Sequence, residues 1–97
     1  MIERVIVRRL AKQDIRQARS WYRKISQVLA DDFLIELNRA IGVIREHPLA
    51  FQVVHRTFRR ILLHRFPYAL FYHAEEQRIV IAAVLHQARD PEILKER

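Results

Sequence analysis

Apolar residues recur at intervals of three and four in two consecutive stretches of the chain, which is the spacing of one helix face. Ser26 lies between the stretches and is suited to cap the second helix, while Pro48 ends it. The pattern therefore predicts two antiparallel helices with a very short connection. The positions are Ala11, Ile15, Ala18, Tyr22 and Ile25 in the first stretch, and Phe33, Leu37, Ile41 and Ile44 in the second.

Two further residues complete this helical prediction. Trp21 widens the apolar face of the first helix, so we expect Trp21 and Tyr22 to lie in the core. Gly42, the only glycine, falls inside the second helix at a cost of roughly 1 kcal/mol relative to alanine. We expect it to permit close packing on the first helix.

The rest of the chain has the pattern of β-strands. Arg78–His86 is nearly all apolar, as expected of a central strand covered on both faces. Pro91 suits the first turn of a short terminal helical segment. The predicted fold class is α+β, in the order β-α-α-β-β-β, with the helical hairpin packed on a small, mostly antiparallel sheet. The predicted strands are Glu3–Arg8, Phe58–His64, Tyr68–His73 and Arg78–His86.

Length and composition narrow the class of protein. A chain of 97 residues, 51% of them hydrophobic, fits a single globular domain over residues 1–97. The absence of cysteine excludes disulfides and cysteine-based zinc sites, and it fits a cytoplasmic protein. The N-terminal MIERVIVRRL has no secretory pattern, and no apolar run is long enough to cross a bilayer.

Positive charge is concentrated in the strand region. The net charge is +7, and no Asp or Glu occurs between Glu46 and Glu75. Alternation along the first strand of this window places Arg59 and Arg60 on opposite sides, and the pattern does not decide which side faces out. We expect the surface to receive an anion, either a nucleic acid or an acidic protein segment. The basic residues of the window are Arg56, Arg59, Arg60 and Arg65, with His47, His55, His64 and His73.

His86 is the candidate for proton-transfer chemistry, because histidine titrates near neutral pH. The alternative is a structural histidine bonded to the backbone. The strand hairpin is expected to bring Arg65 or Arg59, and Tyr68 or Tyr72, within reach of it. No histidine spacing indicates a metal site, no Ser-His-Asp arrangement is visible, and one glycine cannot form a phosphate loop. We therefore expect no cofactor.

Three phrases in order resemble the RelE/ParE family of toxins from bacterial type II toxin–antitoxin modules, also known as plasmid stabilisation proteins. They are the helix phrase DIRQARSWYRKISQVLADDFLIELNRAIGVIREHP, the strand phrase RRILLHRFPYALFY and the closing VLHQARDP. The resemblance implies a toxin neutralised by a cognate antitoxin protein. The expected target-binding residues are Arg56, Arg59, Arg60, Arg65, Tyr68, Tyr72 and Arg89.

The resemblance leaves three functions open. ParE-like members trap DNA gyrase on cleaved DNA and are not hydrolases; the FPYALFY and HQARDP phrases favour this branch. RelE-like members cleave mRNA on the ribosome, and in that case Arg65 and His86 would be the catalytic residues, with arginines holding phosphate. The third alternative is a non-toxic member that retains only antitoxin binding.

Overall fold

Two long helices lie on one face of a five-stranded sheet in a computed structural model that describes residues 4–97. The α+β class predicted from the sequence is confirmed. The elements are β1 (Arg4–Val7), α1 (Arg9–Ile25), α2 (Gln27–Glu46), β2 (Val53–His55), β3 (Phe58–Leu62), β4 (Tyr68–Ala74), β5 (Arg78–His86) and a C-terminal 3-10 helix (Pro91–Glu96).

The strands lie in the order β1-β5-β4-β3-β2. β1 pairs in parallel with β5, which the long chain segment between the two strands permits, and every other pairing is antiparallel. β5 lies between β1 and β4, and its residues from Ile79 to Leu85 are all buried. This confirms the prediction of a mostly antiparallel sheet with an apolar strand in its interior.

The helical hairpin forms as predicted, with a single residue between the helices. The Oγ of Ser26 accepts a hydrogen bond from the backbone N–H of Leu29 at 3.4 Å, which satisfies one donor of the first turn of α2. The apolar faces of both helices pack on the inner side of the sheet. Neither described helix is long and apolar enough to cross a membrane. The main core contains Ala11, Ala18, Phe33, Leu37, Ala40, Ile44, Leu70, Tyr72, Ile79, Ile81 and Val84.

The strand bounds differ from the prediction at several points. β3 ends at Leu62, where the sequence predicts a strand to His64, because the chain turns there and Arg65 adopts a left-handed φ of 71°. The short edge strand Val53–His55 was not predicted from the sequence, and only three residues form it. Glu3, the first residue of the first predicted strand, lies outside the described residues.

Two predictions about the helices are wrong. Trp21 retains 59% of its surface in water, because a step of about 100° around the helix turns it away from its neighbour Tyr22. Tyr22 does pack in the core, with its ring 5.6 Å from that of Phe33. Gly42 is exposed, and a Cβ added there would have nothing within 4 Å, so close helix packing does not explain this glycine.

The C-terminal helix begins at Pro91, as predicted, and covers part of the second face of the sheet. Leu94 is buried there in a smaller cluster with Phe71 and Leu85. The segment is fixed by Arg97, whose guanidinium donates to Asp14 Oδ2 at 2.6 Å and to the carbonyl of Ala82 at 3.0 Å. Both charged side chains of this ion pair are at most 10% exposed.

Candidate binding site on the open sheet face

The sheet face turned away from α1 and α2, called here the open face, carries a cavity of about 580 Å³. Strand register places the residues of its floor side by side, since Arg60 lies opposite Phe71, Leu62 opposite Ala69, and Ala69 opposite Leu85. The floor is apolar apart from Arg60, and Leu62 keeps 47% of its surface exposed. This volume is typical of a site that takes a ligand or one segment of a partner.

The rim of the cavity is mostly cationic. His86, Arg89 and Lys95 line it together with one carboxylate, Glu92. Glu92 forms an ion pair with Lys95, with Oε2 and Nζ 2.7 Å apart, so its charge is already compensated. The side chains of Arg60 and Arg89 make no hydrogen bond or ion pair within residues 4–97. The cavity therefore offers two guanidinium groups to an anion, that of Arg60 on its floor and that of Arg89 on its rim.

Arg59 and Arg60 show which side of β3 faces out. Arg59 lies on the helix side, where it donates to the carbonyl of Phe51 at 2.7 Å and to that of Leu49 at 3.3 Å. Arg60 points into the open-face cavity. The helix side of β3 therefore carries Arg59 and Ile61, and the open face carries Arg60 and Leu62. Arg59 braces the loop that precedes β2.

Arg65 is directed to the helices and not to the open face. Its guanidinium lies 3.4 Å from Asp32 of α2 and 5.6 Å from the centre of the Phe66 ring. Glu36 of α2 also accepts from the backbone N–H of His64 at 2.5 Å. Residues 47–74 thus include no acidic residue, but in the folded protein Asp32 and Glu36 of α2 lie against this segment. The expectation that its arginines share one surface is corrected.

The remaining two arginines occupy different places. Arg56 is exposed at the turn between β2 and β3, with a left-handed φ of 51°, and it does not line the cavity. Arg89 is exposed in the segment after β5 and does line it. Of the predicted binding arginines, Arg60 and Arg89 therefore come together on the open face.

The two predicted tyrosines are also separated by the structure. Tyr72 is fully buried, and its hydroxyl donates to the carbonyl of Pro48 at 2.8 Å, which corrects the expectation that it is accessible on the hairpin. Burial raises the pKa of the Tyr72 hydroxyl, an effect that the nearby Arg59 opposes. Tyr68 is half-buried against Tyr22, and burial likewise raises its pKa.

His86 lies at the mouth of the cavity, exposed at the end of β5. Its Nδ1 accepts from the backbone N–H of Ala88 at 3.0 Å, so the ring proton of the neutral form is on Nε2. The Tyr68 ring packs edge-on against it, with centroids 5.3 Å apart. Within residues 4–97 no carboxylate bonds to His86, and no contact joins it to Arg65. The predicted catalytic pair is therefore not assembled in this conformation.

Sequence reasoning missed Lys95 and Leu62 as parts of this site. Lys95 belongs to the terminal segment, and only the three-dimensional fold brings that segment over the sheet. Leu62 is two residues after Arg60, so alternation places both on the same side of the strand, but the sequence does not indicate that this side faces out. In the part of the chain that the structure describes, no three histidine or carboxylate side chains are grouped as metal ligands.

Comparisons with known proteins place this geometry in a family. A comparison with curated protein sequences gives no match. Among solved structures, a chain of the chromosomal ParDE TA system from P. aeruginosa superposes with a TM-score of 0.69 at 12% identity. The superposition covers 88% of this chain and 96% of that one, which shows a shared fold. The sequence model of the ParE toxin of the type II toxin–antitoxin system parDE matches residues 5–91, and the chain therefore belongs to the ParE toxin family.

Proposed function

We propose that the protein is a toxin that inhibits DNA gyrase, and that it acts by binding rather than by hydrolysis. The observation that carries the proposal is the open-face cavity, in which Arg60 and Arg89 are unpaired among the described residues while His86 has no carboxylate partner. A proton-transfer site needs an acid and a base arranged around the reacting atoms. Two free guanidinium groups above an apolar floor are suited to gripping a partner instead.

We further propose that a cognate antitoxin protein neutralises the toxin by covering the open face. The half-exposed Leu62 and the buried floor around Phe71 and Leu85 offer an apolar anchor point. The unpaired cations at the rim would pair with acidic side chains of the antitoxin. Antitoxin and gyrase would then compete for the same guanidinium groups.

A supercoiling assay with antitoxin-free protein tests the gyrase proposal. The wild-type protein is expected to block supercoiling of relaxed plasmid and to leave cleaved plasmid after protein digestion. Arg60→Glu is expected to raise the inhibitory concentration at least tenfold, since reversing a buried-contact charge typically costs about 2–5 kcal/mol. Arg56→Glu makes the same change of charge outside the cavity and serves as the matched control.

A clean supercoiling reaction in the presence of folded wild-type protein would contradict the gyrase proposal. Toeprinting of mRNA on translating ribosomes should then be tried, because His86 and Arg89 share the cavity rim that a ribonuclease would use. Cleavage that depends on His86 would establish the ribonuclease alternative. Co-expression with a candidate antitoxin gene that adjoins the toxin gene tests neutralisation by the antitoxin. The antitoxin is expected to restore growth and supercoiling together.

A further inference from the structure

The solvent-facing half of α1 is a second charged surface, distinct from the open face. It is called here the α1 outer face. It contains cations, amides and one hydroxyl, and no carboxylate. The side chains of its cations make no hydrogen bond or ion pair with any described residue. The residues of the α1 outer face are Arg9, Lys12, Gln13, Arg16, Gln17, Ser20, Arg23 and Lys24.

The single acid of α1 does not neutralise this surface. Asp14 points inward, where both of its carboxylate oxygens accept from Arg97 and one also accepts from the backbone N–H of Val84. Asp31 of α2 approaches one side of α1, and its partners are Arg19 at 3.9 Å and Gln27 at 3.0 Å. The outer face therefore presents five cations without internal compensation.

The shape of the surface also suits an elongated anion. α1 has 17 residues, which corresponds to about 25 Å of helix at 1.5 Å per residue. A shallow groove of about 340 Å³ runs along it. The groove is lined by Gln13, Arg16, Gln17, Ser20, Trp21 and Lys24.

We propose that the α1 outer face binds duplex DNA by contacting the phosphate backbone of the DNA, with α1 lying along a groove of the double helix. An α-helix fits the major groove, and Arg, Lys, Gln and Ser are the side chains that contact phosphates and base edges. An acidic protein partner fits less well, since protein interfaces have an apolar core, and this surface has only Trp21 at its border. Interfaces with DNA are more polar and more positively charged.

The inference stands apart from gyrase inhibition, because it concerns DNA binding by the isolated protein through a different surface. Trp21 is the only tryptophan of the chain and is 59% exposed beside the groove, so its fluorescence reports directly on this face. A duplex of about 20 base pairs titrated into the full-length protein should change Trp21 emission. The logarithm of the binding constant should fall with log salt at a slope between about −3 and −4.5, from about −0.9 per neutralised phosphate.

A pair of double variants with equal charge change identifies the surface. Arg16→Glu with Lys24→Glu is expected to weaken DNA binding at least tenfold and to reduce the salt slope by about 2. Arg60→Glu with Arg89→Glu, on the open face, should leave DNA binding within about twofold. Circular dichroism checks that each variant is folded, and Arg16→Gln with Lys24→Gln provides a milder version of the first pair.

Three results would overturn the proposal. The first is an equal loss of DNA binding in both double variants, which would indicate attraction by net charge alone. The second is DNA binding that leaves Trp21 emission unchanged. The third is tighter binding of a glutamate-rich peptide than of DNA, with the same change in Trp21 emission, which would make the surface a protein-binding site. Loss of gyrase inhibition in the Arg60 and Arg89 variant with DNA binding intact would separate this proposal from the proposed function.

Discussion

The two faces of the sheet differ in what their side chains contact, although the same strands form both. On the helix side, the guanidinium of Arg59 donates hydrogen bonds to the carbonyls of Phe51 and Leu49. On the open face, the side chain of the next residue, Arg60, makes no hydrogen bond or ion pair with the described residues and borders a cavity. Arg59 thus supports the fold, whereas Arg60 remains available for the target binding that we propose. The location of a basic residue on a sheet therefore matters more than its presence in a basic stretch.

The largest difference between the faces should appear in stability. Phe33 is fully buried on the helix side, and its ring contacts those of Tyr22, Phe66 and Tyr68. Phe33→Ala is expected to lower the free energy of unfolding by about 3–5 kcal/mol through lost contacts and a cavity. Leu62→Ala on the open face should cost less than about 1 kcal/mol. Urea denaturation measures both, and similar losses would remove the distinction.

The ion pair between Asp14 and Arg97 should give the next largest effect. It is almost fully buried, so removing one partner leaves an uncompensated charge. Asp14→Ala is expected to cost about 3 kcal/mol. Glu92→Ala breaks the exposed pair with Lys95 and should cost less than about 1 kcal/mol. Thermal unfolding of the two variants checks the ranking, and a fully stable Asp14→Ala protein would argue against it.

The adjacent arginines allow the comparison to be made at one point of β3. Arg59→Met removes two hydrogen bonds from a charged donor and is expected to destabilise the protein by about 1–3 kcal/mol. Arg60→Met should change stability by less than about 0.5 kcal/mol and should weaken target binding instead. Chemical denaturation and gyrase inhibition are measured on the same preparations. Reversed effects would mean that the two side chains exchange roles in solution.

The smallest predicted effect concerns pH. Burial beside Phe58 and the charge of Arg8 lower the pKa of His73, while the hydrogen bond with Thr57 and the charge of Glu75 oppose this. The unfolded chain therefore takes up a proton that the folded protein resists. This contribution to stability is complete above the ordinary histidine pKa and is lost as pH falls through the lowered value.

A His73→Gln variant isolates that contribution. Between pH 7.5 and pH 5.5 the urea midpoint of the wild-type protein should fall more than that of the variant. The other histidines are common to both proteins and cancel in the difference. Parallel curves for the two proteins would show that His73 titrates normally.

The sequence predicted the architecture well because periodicity reports burial directly. The spacing of Phe33, Leu37 and Ile44 identified α2, and the apolar run from Ile79 to Leu85 identified β5 as an interior strand. These patterns depend on which residues avoid water, and long amphipathic helices and buried strands commonly display them.

The site was harder to predict because it depends on contacts between distant segments. No local sequence pattern indicates that Asp32 reaches Arg65, or that the terminal helix brings Lys95 to the rim near Arg60. Alternation along β3 predicts that Arg59 and Arg60 point to opposite faces of the sheet. Which of the two faces solvent depends on the helices, because they cover one face. Trp21 was misplaced for a related reason, since hydrophobicity does not distinguish a core position from its neighbour one step around the helix.

The role of the open face in target binding is measured by gyrase inhibition with antitoxin-free protein, compared between Arg60→Glu and Arg56→Glu. We expect the wild-type protein and Arg56→Glu to block supercoiling and to accumulate cleaved plasmid at similar concentrations, while Arg60→Glu should need at least about ten times more protein. Equal inhibition by both variants would contradict the assignment of target binding to the open face.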